Sequence, residues 1–324
     1  MMKRREFLIG SAIAVGSGSV WGQRPDQAKL DRFAIMSLCF NPIIKSGAHP
    51  DDPKRTLEIL DLPDMLVERY GVHHVEMQHS HFASTEAAYL EEFRGRLKKA
   101  KSQMNQINVE FGTLNISAPD PVVRLETIDL TKKWIDHAVM LGCPRVMVNQ
   151  GTLAPEVRQA AIDTLKTINV YGKAKKVYIT MENRGGGGGG RGGRAGAVAT
   201  AEAPAAAPPA VATPGAPAGP PRPTSPPWEV VVEVIKASGI WANPDVGNFP
   251  DEEARAAGLR VMYPLSSGSS HCHYNPERYS EANAIKISKE VGYKGLYSIE
   301  AGANNGPDPY AAVQTILDEL LKDI

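Results

Sequence analysis

The chain has 324 residues, 42% of them apolar, and its 36 Lys and Arg residues balance its 36 Asp and Glu residues. This length accommodates one α/β barrel of about 250 residues or two ordinary domains. A formal charge of zero, with no basic stripe beyond the N-terminus, argues against nucleic acid as a partner. Three scattered cysteines are too few for a disulfide framework or a zinc knuckle.

The N-terminus carries a targeting pattern. Arg4 and Arg5 stand before Phe7, Leu8 and a moderately apolar stretch that is too short and too rich in Gly and Ser for a membrane span. The motif RREFL resembles the twin-arginine export signal. The resemblance implies a signal peptide over residues 1–24, the export machinery as a partner, and a periplasmic or otherwise exported location. An ordinary secretory signal or a retained anchor is the alternative.

Strand-like and helix-like patterns then alternate over residues 31–324. The first eight predicted elements are, in strand–helix order, Phe33–Phe40, Arg55–Tyr70, Val72–Gln78, Ser84–Ser102, Asn108–Leu114, Pro121–Leu141, Arg145–Asn149 and Pro155–Lys175. Four more strands follow, with helices at Trp228–Ala237, Asp251–Ala257, Pro276–Val291 and Pro309–Asp323. Eight alternating strands predict an α/β fold, a single-domain (β/α)8 TIM barrel. An open doubly wound sheet is the runner-up, but its Gly-rich GxGxxG turn is missing from the first half of the sequence.

One segment, residues 185–227, interrupts the alternation. It consists mainly of Gly, Ala and Pro and contains no aromatic residue, so it cannot bury enough apolar surface to offset the entropy lost on ordering. We therefore predict a disordered insertion after the fifth strand. Its run of six Gly residues lacks the Lys-Ser/Thr that completes a phosphate-binding loop.

Four strand-like runs in the second half each end on a residue that binds divalent metals. The runs VYITME, IWANPD, SSHCH and GLYSIE end at Glu182, Asp245, His273 and Glu300. The carboxyl ends of parallel barrel strands meet at one face, so we expect these four side chains to converge. This mostly oxygen donor set suits Mn²⁺, Mg²⁺ or Co²⁺, and Zn²⁺ also accepts it. The sequence therefore predicts one divalent metal ion of undetermined identity.

Polar residues at or near other strand ends are weaker candidates. Those considered for substrate binding are Glu76, His79, Asn149 and His271. Period-two alternation places His271 on the same face as His273. For Glu76, a substrate contact and a structural ion pair are equally open. His79 and His81 would contact substrate or add a second metal, and Asn149 would bind a hydroxyl or cap its loop.

The order Glu…Asp-x-Gly-Asn…His-x-His…Ile-Glu resembles the sugar phosphate isomerase/epimerase family of xylose-isomerase-like TIM barrels, from about Arg32 to Ile324. The family's ketose 3-epimerases hold a metal at the positions of Glu182, Asp245, His273 and Glu300. In those enzymes the first and last of the four also exchange the substrate proton, which implies catalytic roles for Glu182 and Glu300. Asn248 stands where they bind substrate with a His. A metal that polarises a carbonyl and its neighbouring C–H makes such proton exchange between two flanking carboxylates physically sound.

The expected substrate pocket departs from that of the ketose 3-epimerases. Gly188 stands where they carry a second glutamate, and Tyr279 where they carry an arginine. We therefore expect an isomerase or epimerase acting on a small carbohydrate or a derivative of unspecified identity. Because the export signal disfavours cytoplasmic sugar phosphates, an unphosphorylated sugar is the expected substrate.

Three other functions stay in view. A lyase or dehydratase acting on a keto sugar or cyclic keto acid begins with the same proton abstraction beside a carbonyl. A sugar-binding barrel without catalysis is an option from another class, although retained metal ligands argue against it. An apurinic endonuclease would need a basic DNA face, which the zero net charge does not favour. Assembly into a homo-oligomer is left open.

Overall fold

The computed structural model describes residues 26–46, 49–112, 114–184 and 226–324. Its strands are β1 (Phe33–Met36), β2 (His74–Gln78), β3 (Gln103–Val109), β4 (Arg145–Val148), β5 (Tyr178–Glu182), β6 (Trp241–Asn243), β7 (Ser269–Cys272) and β8 (Leu296–Ile299). Its α-helices are α1 (Gln27–Leu30), α2 (Leu62–Tyr70), α3 (Ala87–Lys99), α4 (Pro121–Leu141), α5 (Pro155–Lys175), α6 (Trp228–Ser238), α7 (Glu252–Met262), α8 (Glu281–Glu290) and α9 (Pro309–Leu321).

The eight strands form one parallel sheet that curls into a nearly closed barrel. Their order is β6-β5-β4-β3-β2-β1-β8-β7, so each strand lies beside its neighbour in sequence and β1 lies beside β8. The gap between β6 and β7 is spanned by parallel bridges at Ala242–Ser266 and Asp245–His271. Helices occupy the connections between strands, and the predicted single (β/α)8 barrel is confirmed.

Local sequence explains where the long helices begin and end. Asp120 caps α4 by accepting a hydrogen bond from the backbone N–H of Val122, and Pro121 occupies the first turn, where its missing N–H has no cost. Gly142 ends α4 with φ 70°, a left-handed conformation that glycine adopts without a steric penalty. Apolar residues of the strands and helices pack into one continuous buried cluster.

The barrel interior contains a polar layer beneath its carboxyl-terminal end. Hydrogen bonds join the buried side chains of Glu76, Asn105, Gln106, Asn108, Thr180, Asn243, Ser269 and His271. These residues come from five strands, so the network ties the interior together across the sheet. Because each of these eight side chains forms at least one hydrogen bond in the network, their burial costs less in lost hydration, although Asn243 Nδ2 has no partner.

Several predicted boundaries are wrong. The third strand is Gln103–Val109, five residues before the predicted Asn108–Leu114, because its interior-facing residues are polar and break the apolar pattern. The first strand stops at Met36, and Ser37–Phe40 forms a 3-10 helix. The helix predicted from Arg55 begins only at Leu62, where Pro63 occupies the first turn.

Two predicted features lie outside the described residues. They are the export signal over residues 1–24 and the disordered insertion, except for Pro226 and Pro227, which lead into α6. Within the described ranges, no helix combines the length and the apolar character that a membrane crossing requires.

Candidate metal centre

The four predicted metal ligands converge at the carboxyl end of the barrel. Glu182 is the last residue of β5, Asp245 lies two residues beyond β6, and His273 and Glu300 directly follow β7 and β8. His273 Nε2 lies 3.0 Å from Asp245 Oδ2 and 3.6 Å from Glu300 Oε2. Donor atoms of Asp245, His273 and Glu300 all lie within 4.8 Å of one another, as do those of Glu182, Asp245 and His271. The two overlapping sets share Asp245.

His271 lies at the base of this centre, with its side chain only 1% exposed. Its Nδ1 is 2.9 Å from Glu182 Oε2, 3.5 Å from Glu300 Oε2 and 3.9 Å from Asp245 Oδ2. Its Nε2 is 2.7 Å from Glu76 Oε1. Sequence alternation correctly placed His271 on the face of His273. Its predicted contact with substrate stays a prediction, since both ring nitrogens face protein carboxylates.

Glu76 is fully buried below His271 and forms an ion pair with it. Its Oε2 accepts a hydrogen bond from Asn105 Nδ2 at 2.7 Å, and its Oε1 accepts one from Asn108 Nδ2 at 2.8 Å. Of the two alternatives open from the sequence, the structure contains the ion pair. A direct contact between Glu76 and substrate stays an untested prediction.

Hydrogen bonds fix the Asp245 carboxylate on both oxygens. The backbone N–H of Gly247 donates to Oδ1 at 2.7 Å, and Asn248 Nδ2 donates to Oδ2 at 2.7 Å. The Asn183 side chain pairs with the backbone of Asp245 through bonds of 2.9 and 3.0 Å. Asn248 therefore orients a predicted ligand in this structure, and its role in substrate binding stays a prediction.

The guanidinium group of Arg184 contacts the Glu182 carboxylate. Arg184 Nε donates to Glu182 Oε1 at 2.6 Å, and Arg184 Nη2 forms an ion pair with Glu110 Oε1. Glu110 directly follows β3. The centre at the carboxyl end of the barrel therefore receives a charged or imidazole group from each of five strands, β3, β5, β6, β7 and β8. The centre thus already accommodates a cation against one of its predicted metal ligands.

The electrostatics of the centre follow from burial and crowding of carboxylates. Burial raises the pKa of Glu182 to about 7, with Asp245 and Glu300 acting in the same direction and His271 against it. Burial alone would lower the pKa of His273, but Asp245 and Glu300 raise it to about 9. Burial opposes ionisation of Asp245, yet His273 holds its pKa below the usual value. Such a dense negative cluster favours binding of a divalent cation.

Burial and the nearby carboxylates act in opposite directions on the deeper pair. Burial disfavours the charged form of His271, but Glu76 and Glu182 outweigh it and raise the His271 pKa well above its ordinary value. Burial likewise opposes ionisation of Glu76, and His271 nevertheless lowers the Glu76 pKa. The two carboxylates thus favour the protonated form of the His271 imidazole, and His271 favours the ionised form of Glu76.

The remaining candidates lie at the rim. His79 Nδ1 accepts a hydrogen bond from the Glu110 N–H at 3.3 Å, and burial lowers the His79 pKa to about 4. Asn149 Oδ1 accepts from the Gly151 N–H at 2.9 Å, which is loop capping. Among the described residues, neither His79 nor His81 belongs to a group that could hold a metal. Substrate contacts by His79 and Asn149 are not tested by this geometry.

Three residues of the centre, Glu110, Asn183 and Arg184, were not predicted from the sequence. Asn183 and Arg184 directly follow the strand-terminal Glu182, and their position after a ligand was the available signal. Glu110 was hidden because the third strand was predicted too late, which placed this residue inside the strand and not at its end.

Comparison with known proteins agrees with this architecture. A family described as "Xylose isomerase-like TIM barrel" matches residues 66–201. No curated protein matches the sequence. A "D-tagatose 3-epimerase-like protein" of solved structure is 15% identical, with 90% of this chain and 97% of that chain covered and a TM-score of 0.60.

Two other solved structures are similar over the same share of the chain. A 3-keto-D-glucoside 4-epimerase from E. coli is 12% identical, with 90% of this chain and 99% of that chain covered at a TM-score of 0.59. A probable 3-DHS dehydratase from Bacillus anthracis is 12% identical, with 90% and 97% covered at a TM-score of 0.56. At these identities the likeness concerns the fold. The family model matches less than half of the chain, and the barrel fold is the feature that the chain shares with these solved structures over their length.

Proposed function

We propose that this protein is a metal-dependent isomerase or epimerase of a sugar or sugar derivative. The observation that carries the proposal is the convergence of Glu182, Asp245, His273 and Glu300 at the carboxyl-terminal mouth of the barrel. Chemistry in this fold takes place at that face. The family match and the sugar epimerases of similar fold support an enzyme that modifies sugars.

The donor set fits a divalent cation. Three carboxylates and one imidazole would hold the ion, and the guanidinium of Arg184 on Glu182 is a stand-in for positive charge at that position. When bound, such an ion supplies the Lewis acidity that polarises a substrate carbonyl. We propose one ion per chain, because the two overlapping donor sets share Asp245.

Glu182 and Glu300 are the proposed acid–base pair. Their Oε2 atoms lie 2.9 and 3.5 Å from the same atom, His271 Nδ1, so the two carboxylates lie close together at the carboxyl-terminal end of the barrel. We propose that a substrate bound at this end places the carbon beside its carbonyl between them. One carboxylate would take the proton beside the carbonyl, and the other would return it on the opposite face.

A lyase is the second candidate. The fold is also similar to that of a probable 3-DHS dehydratase, and Gly188 replaces the second glutamate of the ketose 3-epimerases. An elimination would use the same first proton abstraction and would differ only in the departure of a leaving group. The product therefore discriminates between the two reactions.

Solvent exchange tests both candidates. Metal-saturated enzyme incubated with a panel of keto sugars in D₂O should place deuterium at the carbon beside the carbonyl. Recovery of a labelled sugar with inverted configuration indicates an epimerase, and release of an unsaturated product indicates a lyase. If no keto sugar exchanges its proton, the proposed chemistry is refuted, and the sugar-binding barrel becomes the better explanation.

We also propose that the protein is exported through the signal over residues 1–24, which favours an unphosphorylated carbohydrate as substrate. The support for this proposal is the motif RREFL at Arg4 to Leu8 followed by a weakly apolar stretch. Export of a folded and metal-loaded protein would also suit a metal enzyme whose sequence has no disulfide framework.

A further inference from the structure

The His271 side chain is held between two buried carboxylates from different strands. Nδ1 is 2.9 Å from Glu182 Oε2, and Nε2 is 2.7 Å from Glu76 Oε1. Carboxylate oxygens accept hydrogen bonds, so each nitrogen donates in this arrangement. His271 therefore links the polar floor of the barrel to a side chain of the metal centre.

The lower end of this link is rigid. Besides His271, Glu76 receives hydrogen bonds from Asn105 at 2.7 Å, Asn108 at 2.8 Å and Gln106 at 3.2 Å. All three donors lie on β3, beside the strand that carries Glu76. A carboxylate with four donors on two oxygens has little freedom to turn, and the His271 ring bound to it is fixed as well.

The upper end of the link determines which oxygen of Glu182 is available. Oε2 is bound by His271 inside the barrel, whereas Oε1 faces Arg184 Nε at 2.6 Å. The cation in contact with Glu182, the Arg184 guanidinium, is thus bound to Oε1. The His271 backbone also contributes, because its N–H donates to Pro244 O at 2.8 Å and its carbonyl accepts from the Val246 N–H, on both sides of Asp245.

We propose that Glu76 and His271 are positioning residues, which hold Glu182 by Oε2 and present its Oε1 to the metal ion. This inference rests on the proposed function only in taking Glu182 as a metal ligand. A purely structural role is a poor explanation, because a buried ion pair is commonly no more stabilising than apolar residues of the same volume. Groups that orient a ligand from behind typically change metal affinity by roughly 10- to 100-fold.

Two variants of His271 separate its two hydrogen bonds. In His271→Asn, the amide nitrogen replaces Nδ1 and can still donate to Glu182, but the bond to Glu76 is lost. In His271→Gln, the amide nitrogen replaces Nε2 and can still donate to Glu76, but the bond to Glu182 is lost. Both variants remove the ring and its charge, so they are matched controls for each other.

The measurements are the dissociation constant for Co²⁺ by competition titration, the visible absorption spectrum of bound Co²⁺, and the melting temperature of the metal-free protein. We expect His271→Gln to weaken Co²⁺ binding by roughly 10- to 100-fold and to change the spectrum. His271→Asn should bind Co²⁺ more tightly than His271→Gln, with a spectrum closer to that of the wild type. Equal losses in both variants, or no loss in either, would overturn the positioning role.

A variant of Glu76 provides the second arm and does not depend on the folding of the His271 variants. Glu76→Gln keeps the shape of the side chain but replaces an oxygen acceptor and removes the charge that orients the ring. We expect Glu76→Gln to weaken Co²⁺ binding in the wild-type background. Adding Glu76→Gln to His271→Asn should cause little further loss, because the contact between Glu76 and residue 271 is already missing there. Unchanged Co²⁺ affinity in Glu76→Gln would contradict the proposal.

The metal measurements stand apart from the test of the reaction. If wild-type enzyme exchanged no substrate proton in D₂O, the isomerase proposal would fail, but the order of Co²⁺ affinities would be unaffected. If the order of affinities failed while exchange persisted, only the positioning role would be wrong.

Discussion

Asp245 and His271 face each other in the parallel bridge that joins the chain after β6 to β7 and closes the barrel at its carboxyl-terminal end. The His271 N–H donates to Pro244 O, and the Val246 N–H donates to His271 O, so Asp245 is held from both sides. Closure of the sheet and assembly of the metal centre are therefore one structural event. A metal ion that binds only this arrangement should stabilise the fold by an amount that grows with the logarithm of the ratio of ion concentration to dissociation constant.

The first prediction concerns the ligand set. Asp245→Asn preserves the shape of the side chain but removes one negative charge from the centre, so we expect the metal dissociation constant to rise by more than about 100-fold. Elemental analysis of the purified protein measures the occupancy. Asp251→Asn is the control, since Asp251 caps α7 by accepting from the Ala254 N–H and Asn caps a helix equally well. Full metal content in Asp245→Asn would exclude this site.

The second prediction concerns pH. Metal binds neutral imidazole and ionised carboxylate, whereas the pKa of His273 is about 9 and that of Glu182 about 7 in the metal-free protein. Metal uptake should therefore release about two protons per ion at pH 6, about one at pH 8 and none at pH 10. Apparent affinity should rise with pH and level off above about pH 9. Calorimetry in buffers of different ionisation enthalpy counts the protons, and no release at pH 6 would contradict the prediction.

The third prediction concerns the close approach of a glycine to a ligand. A Cβ on Gly247 would lie 2.7 Å from His273 Cδ2 and 3.3 Å from the Tyr279 hydroxyl oxygen, so Gly247→Ala must displace the imidazole. We expect metal affinity to fall by roughly tenfold or more. In Gly95→Ala, on an exposed face of α3, the new Cβ meets no atom within 4 Å. That control should stabilise the fold by about 0.5–1 kcal/mol and leave metal affinity unchanged.

The fourth prediction concerns Arg184. Its guanidinium occupies Glu182 Oε1 and therefore competes with a metal ion for that oxygen. Arg184→Gln should tighten metal binding by roughly three- to tenfold. The reason is that the hydrogen bond between Arg184 and Glu182, which contributes about 1 kcal/mol net, no longer has to be broken when the ion binds. It should also lower the melting temperature of the metal-free protein, where Glu182 loses its cation.

The control for this prediction is Arg158→Gln, which removes a partly exposed ion pair with Glu233 away from the centre. Isothermal titration of both variants with the same metal provides the comparison. Metal binding that weakens in Arg184→Gln alone would mean that the guanidinium supports the ion and does not compete with it.

The fifth prediction concerns export. If Arg4 and Arg5 form a twin-arginine signal, replacing both with Lys should keep the protein in the cytoplasm, although the charge of the N-terminus is unchanged. Cell fractionation and the size of the mature chain measure the result. Export of the double variant at the wild-type level would favour an ordinary secretory signal.

The sequence by itself determined the fold class and the grouping of the four predicted ligands at one end of the barrel. Eight strand-like runs alternating with helices indicate a parallel barrel, and the barrel brings every strand end to one face. For this reason Glu182, Asp245, His273 and Glu300 could be grouped although 118 positions separate the first from the last. The residue that ends each strand can be identified from the local sequence, and the barrel geometry brings these residues to one face.

The tertiary structure alone decided what lies beneath and beside those ligands. The third strand, Gln103–Val109, was misplaced because its polar side chains face a polar interior, where an apolar pattern is not required. Glu76 and His271 are 195 residues apart in sequence and meet only because the barrel closes. Arg184 and Glu110 likewise pair across different strands. Contacts of this kind depend on register and closure, which no local pattern of residues specifies.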